Sequence, residues 1–512
     1  MSTDSITTVK PLDASQARRS FLLGGAALML AGLLADLQVS TWPVRLRYPG
    51  EQNYVEGMRL VEMVHLREGV PIYASPSPER FDAAIYGPLY YLLGARLIDP
   101  NAPAYFPLRM LSLFATLGCA AGCAVLAYWL TGKPLAGVLA PLIFLSYSMV
   151  TLHGLSARCD MVALCSFFWG FLVAFRFRNS PRMLLAIPFM LAGFLYKQQY
   201  VAGPLAVVVF LIMEKRYRLA AAFAGLMGGS VVGLLALFQF VVFQGQDFIL
   251  HIFRFNLLAF GLPQFQGGIF AFGMLFLVPF LVGLEALRVR REKLLLIYLL
   301  AAVGLALAAL GKVGSDSNYY LESICVLSAL FATTFADRVG KTSAAAELLV
   351  LLGMALFFGQ FMTLPTPTTP DFEKDQAIQD YLRNSFPPKT PALSYYQGDV
   401  VRAGLSSPIS DIYQYSKLIR KGTLTDHHLI SAIETGKFKV IILTCDVEQE
   451  DPESSCVRRY LTPRLAKVIV HNYHLARRLE LPSPERLEPH ERFFDAWVPK
   501  AGDEAGVQPP GL

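Results

Sequence analysis

The chain has few charged residues and lacks the motifs by which many enzymes bind nucleotides or metals. Charged residues make up 16% of its 512 residues and hydrophobic residues 54%, and the mean hydropathy is +0.43. It contains no Walker A loop, no His-Glu-x-x-His motif and no Gly-x-Ser-x-Gly elbow, and its seven cysteines show no metal-ligand spacing. These absences argue against an ATP-driven transporter, a zinc peptidase and an α/β-hydrolase.

Long apolar runs are what the sequence has instead. A membrane-crossing helix needs about 20 predominantly apolar residues. The composition and these runs predict an all-α polytopic membrane bundle of about 11 transmembrane helices, with a long first extracytoplasmic loop and a small C-terminal α/β domain. The predicted spans are 21–40, 108–131, 135–152, 161–176, 183–197, 199–213, 219–243, 269–287, 294–311, 319–336 and 344–363.

The gaps between the spans alternate in charge. Every second gap is a cluster of Lys and Arg, such as Arg176, Arg178 and Arg182, and the net charge of +6 is spread over these clusters. By the positive-inside rule the N-terminus is cytoplasmic, and eleven crossings place the C-terminal part outside. The charge therefore indicates topology and predicts no nucleic-acid partner. Arg18-Arg19 resembles a twin-arginine export signal, but the many later spans favour a first membrane helix.

The predicted domain organisation follows from these patterns. The sequence divides into a cytoplasmic N-terminus, a transmembrane domain whose outer loop 41–107 bears interfacial helices, a proline-rich linker, an extracytoplasmic α/β domain and a disordered tail. An amphipathic helix on the membrane surface is predicted from Glu56 to Arg67, and strands at 392–396 and 438–444. The domain boundaries are 1–20, 21–363, 364–370, 371–500 and 501–512.

Polar residues collect in the outer gaps, which suggests a site at that face because such groups are costly near a bilayer. Glu51 follows the turn Tyr48-Pro49-Gly50, and a carboxylate there suits a general base; Glu56 is the second candidate. A solvated loop acid is the alternative for either. These two residues are the predicted catalytic residues.

Two further outer gaps carry candidate substrate-binding residues. Arg158 and Asp160 open the fourth span, where they form an ion pair or orient a phosphate. Lys197 and Gln198 form a turn between two spans, where Lys197 is either a phosphate ligand or a snorkelling anchor.

The densest polar cluster runs from Lys312 to Glu322. Asn318 and Glu322 are four residues apart and therefore share a helix face. Tyr319 follows Asn318 in the sequence. An acid inside a span needs a partner, and Lys312 is the predicted one. Lys312, Asn318, Tyr319 and Glu322 complete the predicted substrate-binding set.

Taken in order, these motifs resemble the GT-C class of polytopic glycosyltransferases, the group of the protein O-mannosyltransferases (glycosyltransferase family 39) and the aminoarabinose transferase. The resemblance covers roughly residues 20–340. It rests on Gly50-Glu51 with the following Glu-Gly-Val-Pro-Ile-Tyr and Tyr-Gly-Pro-Leu-Tyr-Tyr, on Ala157-Arg158-Cys159-Asp160, on Lys197-Gln198-Gln199, and on the Asn-Tyr-Tyr-Leu-Glu ending at Glu322.

The resemblance implies inverting transfer of a sugar from a polyprenyl phosphate donor to a lipid, glycan or protein acceptor, with Glu51 as base, in a bacterial inner membrane whose lipids are further partners. Many relatives carry an Asp-Glu pair where this chain has Gly50-Glu51, so a divalent metal cofactor is not favoured. Two other classes stay open: a transporter or flippase, which predicts polar groups near the midplane, and a non-catalytic scaffold.

Overall fold

The computed structural model describes residues 14–77, 80–360, 365–444, 446–448, 454–483 and 493–500. The predicted tail 501–512 and the first residues of the predicted cytoplasmic N-terminus lie outside the described residues. The described chain forms an apolar helix bundle, two helix-bearing loops and a C-terminal α/β domain. The loops are named the first outer loop (residues 40–105) and the second outer loop (residues 243–261) after the side on which the predicted topology places them.

Apolar helices coincide with all eleven predicted spans. Short 3-10 helices precede α9 and α14, at Pro181–Ala186 and Ser317–Tyr320, and π-helical turns at Phe238–Val242 and Leu250–Phe255 follow α11. The bundle helices are α1 (Ala14–Val39), α5 (Phe106–Thr131), α6 (Pro134–Ser146), α7 (Ser148–Gly154), α8 (Asp160–Arg176), α9 (Ile187–Tyr196), α10 (Ala202–Met213), α11 (Tyr217–Leu237), α12 (Leu262–Arg290), α13 (Lys293–Leu310), α14 (Leu321–Arg338) and α15 (Thr342–Phe358).

The predicted number of spans is not confirmed. Within the described residues, 6 helices are long and apolar enough to cross a membrane, or 7 if α6 and α7, which meet at 73°, form one span. Three further apolar segments, Pro181–Tyr196, Ala202–Met213 and Ser343–Phe357, are shorter than the length that a hydrocarbon core demands. Helix length therefore distinguishes apolar helices that could cross a membrane from those that are too short, and hydropathy alone does not make this distinction.

Helix α14 is the central element of the bundle. It is buried along nearly its whole length and packs against α5, α6, α12, α13 and α15. Cations collect where several helices end: Lys133 and Arg290 both pair with Asp337, and Arg178 pairs with Glu292. These are the clusters that the sequence assigns to the cytoplasmic side.

The first outer loop contains α2 (Trp42–Arg47), α3 (Tyr54–Arg67) and α4 (Pro88–Leu97). The predicted helix at 56–67 is present as α3, capped by the Asn53 side chain, which accepts from Val55 N at 2.9 Å. That it lies on the membrane surface stays a prediction. Its polar and apolar faces are both buried, because α4 covers one part and the C-terminal domain covers another.

The C-terminal domain is a four-stranded mixed sheet covered by helices. Its strands are β1 (Ala392–Ser394), β2 (Val440–Leu443), β3 (Tyr473–Glu480) and β4 (Phe493–Pro499), in the order β1-β2-β4-β3, with β1 and β2 parallel and the other pairs antiparallel. The two predicted strands are thus observed. Its helices are α16 (Thr369–Ser385), α17 (Gln397–Arg402), α18 (Ile412–Arg420), α19 (His427–Glu434), α20 (Ser455–Tyr460) and α21 (Pro463–Asn472).

The domain docks closely on the first outer loop. Helix α17 packs against α3, and a bridge joins Phe81 to Ile409. Gly57 and Gly398 permit this approach: a Cβ on Gly398 would lie 1.6 Å from the Tyr105 hydroxyl and 2.9 Å from the Gly57 Cα. A side chain at either glycine would separate the two surfaces.

Candidate functional site

A polar cavity of about 590 Å³ lies where the bundle, the outer loops and the C-terminal domain meet. Six of the predicted site residues line it: Arg158, Lys197, Gln198, Lys312, Asn318 and Tyr319. The remaining lining residues are Asn53, Tyr54, Val55, Met58, Arg59, Ile85, Tyr86, Leu152, Gln199, Asn256, Leu258, Gln264, Val313, Gly314, Ser315, Asp316, Asp411, Tyr413, Gln414 and Lys417.

Asp160 organises one wall of the cavity from behind. Its carboxylate accepts from Arg158 Nε at 2.9 Å, from Asn318 Nδ2 at 2.6 Å and from Lys197 Nζ, so three separate outer gaps converge on one acid. Arg158 also pairs with Asp316, at 3.2 Å. The formal charges of this network cancel, since two cations face two carboxylates. Asp160 therefore fixes the positions of cavity-lining groups without lining the cavity itself.

Lys312 has a different partner from the one predicted. Its Nζ donates to Asn256 Oδ1 at 2.8 Å, and no carboxylate in the described part of the chain lies within ion-pair distance of it. The expected pairing with Glu322 is wrong because the turn after α13 carries Lys312 toward the loop that holds Asn256. Lys312 is thus a cavity-lining cation whose charge is not neutralised by a neighbouring acid.

Aromatic rings frame the lysines. Lys197 Nζ lies 5.2 Å from the centroid of Tyr86 and 5.6 Å from that of Tyr319, and Lys312 Nζ lies 6.0 Å from the Tyr319 centroid. At these distances a ring face attracts an ammonium group. The rings hold the two ammonium groups near the cavity without neutralising them.

Three side-chain carbonyl oxygens on the cavity wall have no hydrogen-bond partner among the described residues. They belong to Gln198, Gln199 and Asn318. The amide nitrogen of Gln198 is already used, since it donates to the Ile85 carbonyl at 2.8 Å and the Ile252 carbonyl at 2.6 Å. Buried acceptors are costly unless they meet a donor, so the wall suits a ligand rich in hydroxyl groups.

The C-terminal domain supplies a wall that the sequence did not reveal. Asp411, Tyr413, Gln414 and Lys417 come from α18 and its N-cap, and Gln414 Nε2 donates to the Phe255 carbonyl at 2.5 Å to hold α18 on the second outer loop. These residues are more than 90 positions from Lys312 in sequence, so local pattern carried no sign of them. The Asp-Ile capping pattern at 411–412 predicts only a helix start.

Arg59 is another cavity-lining residue that the sequence did not reveal. It is buried on α3, where it pairs with Glu62 one turn away and donates to the Tyr91 hydroxyl. Glu62 also accepts from Ala84 N at 2.7 Å. The i,i+3 spacing of Arg59 and Glu62 was a usable signal, because the two side chains share a helix face.

Glu56 does not line the cavity. Its two oxygens accept from Arg109 Nε at 3.0 Å and Nη2 at 2.6 Å, from Ala157 N at 2.6 Å and from Gln52 N at 2.7 Å. This fully bonded carboxylate links the first outer loop to α5 and to the start of α8. Its two oxygens are occupied by these four hydrogen bonds, which leaves little room for a further ligand.

Glu51 lies in a second buried group that is separate from the cavity lining, the sealed acid cluster of Glu51, Tyr105, Asp399 and Arg402. Glu51 Oε1 accepts from Gly398 N at 2.8 Å, while Arg402 pairs with Asp399 at 3.0 Å and with Asp375 at 2.8 Å. Burial and the neighbouring Asp399 raise the pKa of Glu51 well above its usual range. The docked C-terminal domain therefore covers the carboxylate that the sequence predicts as the base.

Glu322 also lies away from the cavity lining. It is buried in the first turn of α14, beside Tyr298 of α13. Of the ten predicted site residues, the structure thus gathers six on the cavity and Asp160 behind them, and it places Glu51, Glu56 and Glu322 elsewhere. The roles of all ten remain predictions.

The residues around the cavity do not form a metal site. Within the described residues, no group of three His, Cys, Asp or Glu side chains could hold a metal ion. The two carboxylates on the wall have different partners: Asp316 is paired with Arg158, and Asp411 caps α18. A hard cation prefers several oxygen ligands, so the donor set does not fit one.

Comparison with solved structures assigns the fold. A crystal structure of ArnT from Cupriavidus metallidurans bound to undecaprenyl phosphate superposes with a TM-score of 0.54 at 11% identity, covering 93% of this chain and 99% of ArnT. The chain has an ArnT-like fold. The apo structure of the same ArnT gives a TM-score of 0.53 at 10% identity over 91% of this chain and 97% of ArnT. The resemblance predicted from the sequence is confirmed at the level of the polytopic fold.

A more distant likeness is to the oligosaccharyltransferase AglB from Archaeoglobus fulgidus, in complex with an inhibitory peptide and a dolichol-phosphate. Its TM-score is 0.47 at 13% identity, covering 94% of this chain and 75% of AglB. No protein-family model matches the sequence, and a search of curated proteins finds no match.

Proposed function

We propose that this chain is a membrane glycosyltransferase that moves a sugar from a polyprenyl phosphate-linked donor to an extracytoplasmic acceptor. The observation that carries the proposal is Lys312, a cation without a carboxylate partner among the described residues, on the wall of a polar cavity at one end of an apolar bundle. A nearby cation stabilises the negative charge of a lipid phosphate, and the apolar helices of the bundle suit the hydrocarbon chain of that lipid. The undecaprenyl phosphate in the ArnT structure supports the same donor class.

The cavity offers groups for both parts of such a donor. Lys312, with Lys197 and Arg158, would neutralise the charge that develops on the departing phosphate. The carbonyl oxygens of Gln198 and Asn318 would accept hydrogen bonds from sugar hydroxyls. A single displacement at the anomeric carbon inverts its configuration, and inversion is the stereochemistry we propose.

The proposed orientation follows the cation clusters. The ends of the bundle helices that carry Lys133, Arg178 and Arg290 face the cytoplasm by the positive-inside rule. The cavity and the C-terminal domain then face outward in a bacterial inner membrane. A lipid, glycan or protein acceptor would approach from that side.

The test compares two lysines near opposite ends of one helix. Lys312 follows the end of α13, and Lys293 begins it and pairs with Glu214. In membranes given radiolabelled undecaprenyl phosphate sugars, Lys312→Gln should lower label transfer by about 100-fold, as the loss of one electrostatic stabiliser does, and Lys293→Gln should leave it unchanged. Equal rates in the two variants would contradict the assignment, and no label release by wild type from any donor would favour the transporter.

A further inference from the structure

Asp411 differs from the other acid on the cavity wall. It is buried, its Oδ1 accepts from Gln414 N at 2.8 Å, and in the described part of the chain no side chain donates a hydrogen bond to it or forms an ion pair with it. Asp316, by contrast, pairs with Arg158 and accepts from Ser317 N at 2.6 Å and from the Ser317 hydroxyl at 3.1 Å. One cavity acid is engaged by a cation and a hydroxyl, and the other only by backbone.

The two acids also differ as proton acceptors. Burial raises the pKa of Asp411 to about 7. Burial would raise the pKa of Asp316 as well, but His153 and Arg158 outweigh it and hold that pKa at about 2. A general base works best when its pKa lies near the operating pH, which selects Asp411.

Lys312 and Asp411, which have no side-chain partner of opposite charge among the described residues, come from different parts of the chain. Lys197, Lys312 and Arg158 come from the bundle and its turns, whereas Asp411 comes from the C-terminal domain. Helix α18 is held there by Gln414 and by Tyr413, whose hydroxyl approaches Gly314. An inverting displacement needs a cationic site for the leaving group and a separate basic site for the incoming group.

We infer that Asp411 is the proton acceptor for the acceptor hydroxyl, an inference that rests on the transfer reaction proposed above. The hydroxyl oxygen attacks the anomeric carbon as the bond from that carbon to the phosphate oxygen breaks. The polyprenyl phosphate leaves with the electron pair of that bond. The hydroxyl proton passes to the Asp411 carboxylate, and the C-terminal domain becomes part of the active site.

Capping and proton transfer can be separated at this position. Asp411 is the N-cap of α18, and Asn caps a helix about as well as Asp. Asp411→Asn therefore keeps the cap and removes the base. Asp426, at the N-cap position of α19, is the control, because it lies in the same domain and does not line the cavity; its side chain pairs with Arg464 at 3.2 Å and makes no capping hydrogen bond.

The experiment measures transfer from radiolabelled undecaprenyl phosphate sugars in membranes between about pH 5.5 and 9, bracketing the Asp411 pKa. Wild-type turnover should rise with pH through about 7 and then level off, since the base must be deprotonated. Asp411→Asn should lower kcat by about 100-fold or more, leave the donor KM unchanged and abolish the rise with pH. Asp426→Asn should behave as wild type.

Each other result has a distinct meaning. If wild type transfers label and Asp411→Asn matches Asp426→Asn, the inference is wrong while the proposed function stands. If Asp411→Asn raises the donor KM and lowers the melting temperature together, Asp411 is structural and the inference also fails. If wild type transfers no label, the proposed function itself fails.

The pH profile must be assigned to Asp411 and not to its neighbours. The charged and titratable groups that face it are Tyr54, Arg59 and Glu62 from α3 and Tyr413 on its own helix. Arg59 and Glu62 form an ion pair, and burial raises the pKa of Tyr54 well above its usual range. A pH rise that persists in Asp411→Asn would assign it to one of these groups and contradict the inference.

Discussion

The cavity and the sealed acid cluster lie along the same seam between the outer loops and the C-terminal domain, but they are built differently. The cavity places Lys312 and Asp411 where neither has a side-chain partner of opposite charge among the described residues. The sealed cluster closes around Glu51, which lies so near Gly57 and Gly398 that a side chain on either glycine would clash with it. We therefore propose that the chemistry belongs to the cavity and that the sealed cluster serves domain docking.

Removing the Glu56 carboxylate should have the largest effect on stability. Glu56→Gln breaks a buried pair with Arg109 and turns an amide N–H toward the Arg109 or Gln52 donors, so we expect a loss of about 3–5 kcal/mol in the free energy of unfolding. The control is Glu285→Gln, which breaks an exposed pair with Arg288 and should cost less than about 1 kcal/mol. Unfolding of the purified proteins in detergent measures both, and equal stabilities would refute the structural role of Glu56.

A side chain in the seam should have an intermediate effect. Gly398→Ala places a Cβ against Tyr105 and Gly57, so docking should weaken by about 1–3 kcal/mol, as overpacking does. Hydrogen exchange in α3 and α17 should increase. Gly304→Ala, which meets nothing within 4 Å on α13, is the matched control and should leave exchange unchanged. Unaltered hydrogen exchange in Gly398→Ala would show that α3 and α17 are not packed closely enough for the added Cβ to separate them.

Neutralising Glu51 should have the smallest effect. Its raised pKa favours the neutral form, which Gln imitates, and Gln retains the bond from Gly398 N. An acid with a raised pKa stabilises the fold below its unfolded pKa and loses that contribution as pH rises through the folded value. Glu51→Gln should therefore gain stability relative to wild type as pH rises above the usual carboxyl range, measured by thermal unfolding. A difference that stays constant as pH rises would contradict the buried state of Glu51.

Much of the fold was predictable because apolar run length and Lys/Arg alternation are local signals. The apolar helices that coincide with the predicted spans and the strands β1 and β2 were found this way. Strand β3 was missed because its arginines, among them Arg478, mask the alternation; Arg478 pairs with Asp495 of β4 across the sheet. The span count is not confirmed, because short apolar helices and complete spans have the same composition.

The site was predictable only where it comes from the bundle. Arg158, Lys197, Lys312 and Asn318 stand out as polar residues between apolar runs. Asp411 reaches the cavity through docking of a distant domain, which no local pattern reports. Glu51 is the opposite case. A carboxylate next to a span looks exposed in the sequence, but the docked C-terminal domain covers it.

The most direct test compares the cavity and the sealed acid cluster in one assay. Label transfer from undecaprenyl phosphate sugars is measured for wild type, Lys312→Gln and Glu51→Gln at equal expression. Transfer by Lys312→Gln should fall about 100-fold, while Glu51→Gln should keep most of the wild-type rate. Abolished transfer in Glu51→Gln with normal transfer in Lys312→Gln would place the chemistry in the sealed cluster and contradict the role proposed for Lys312.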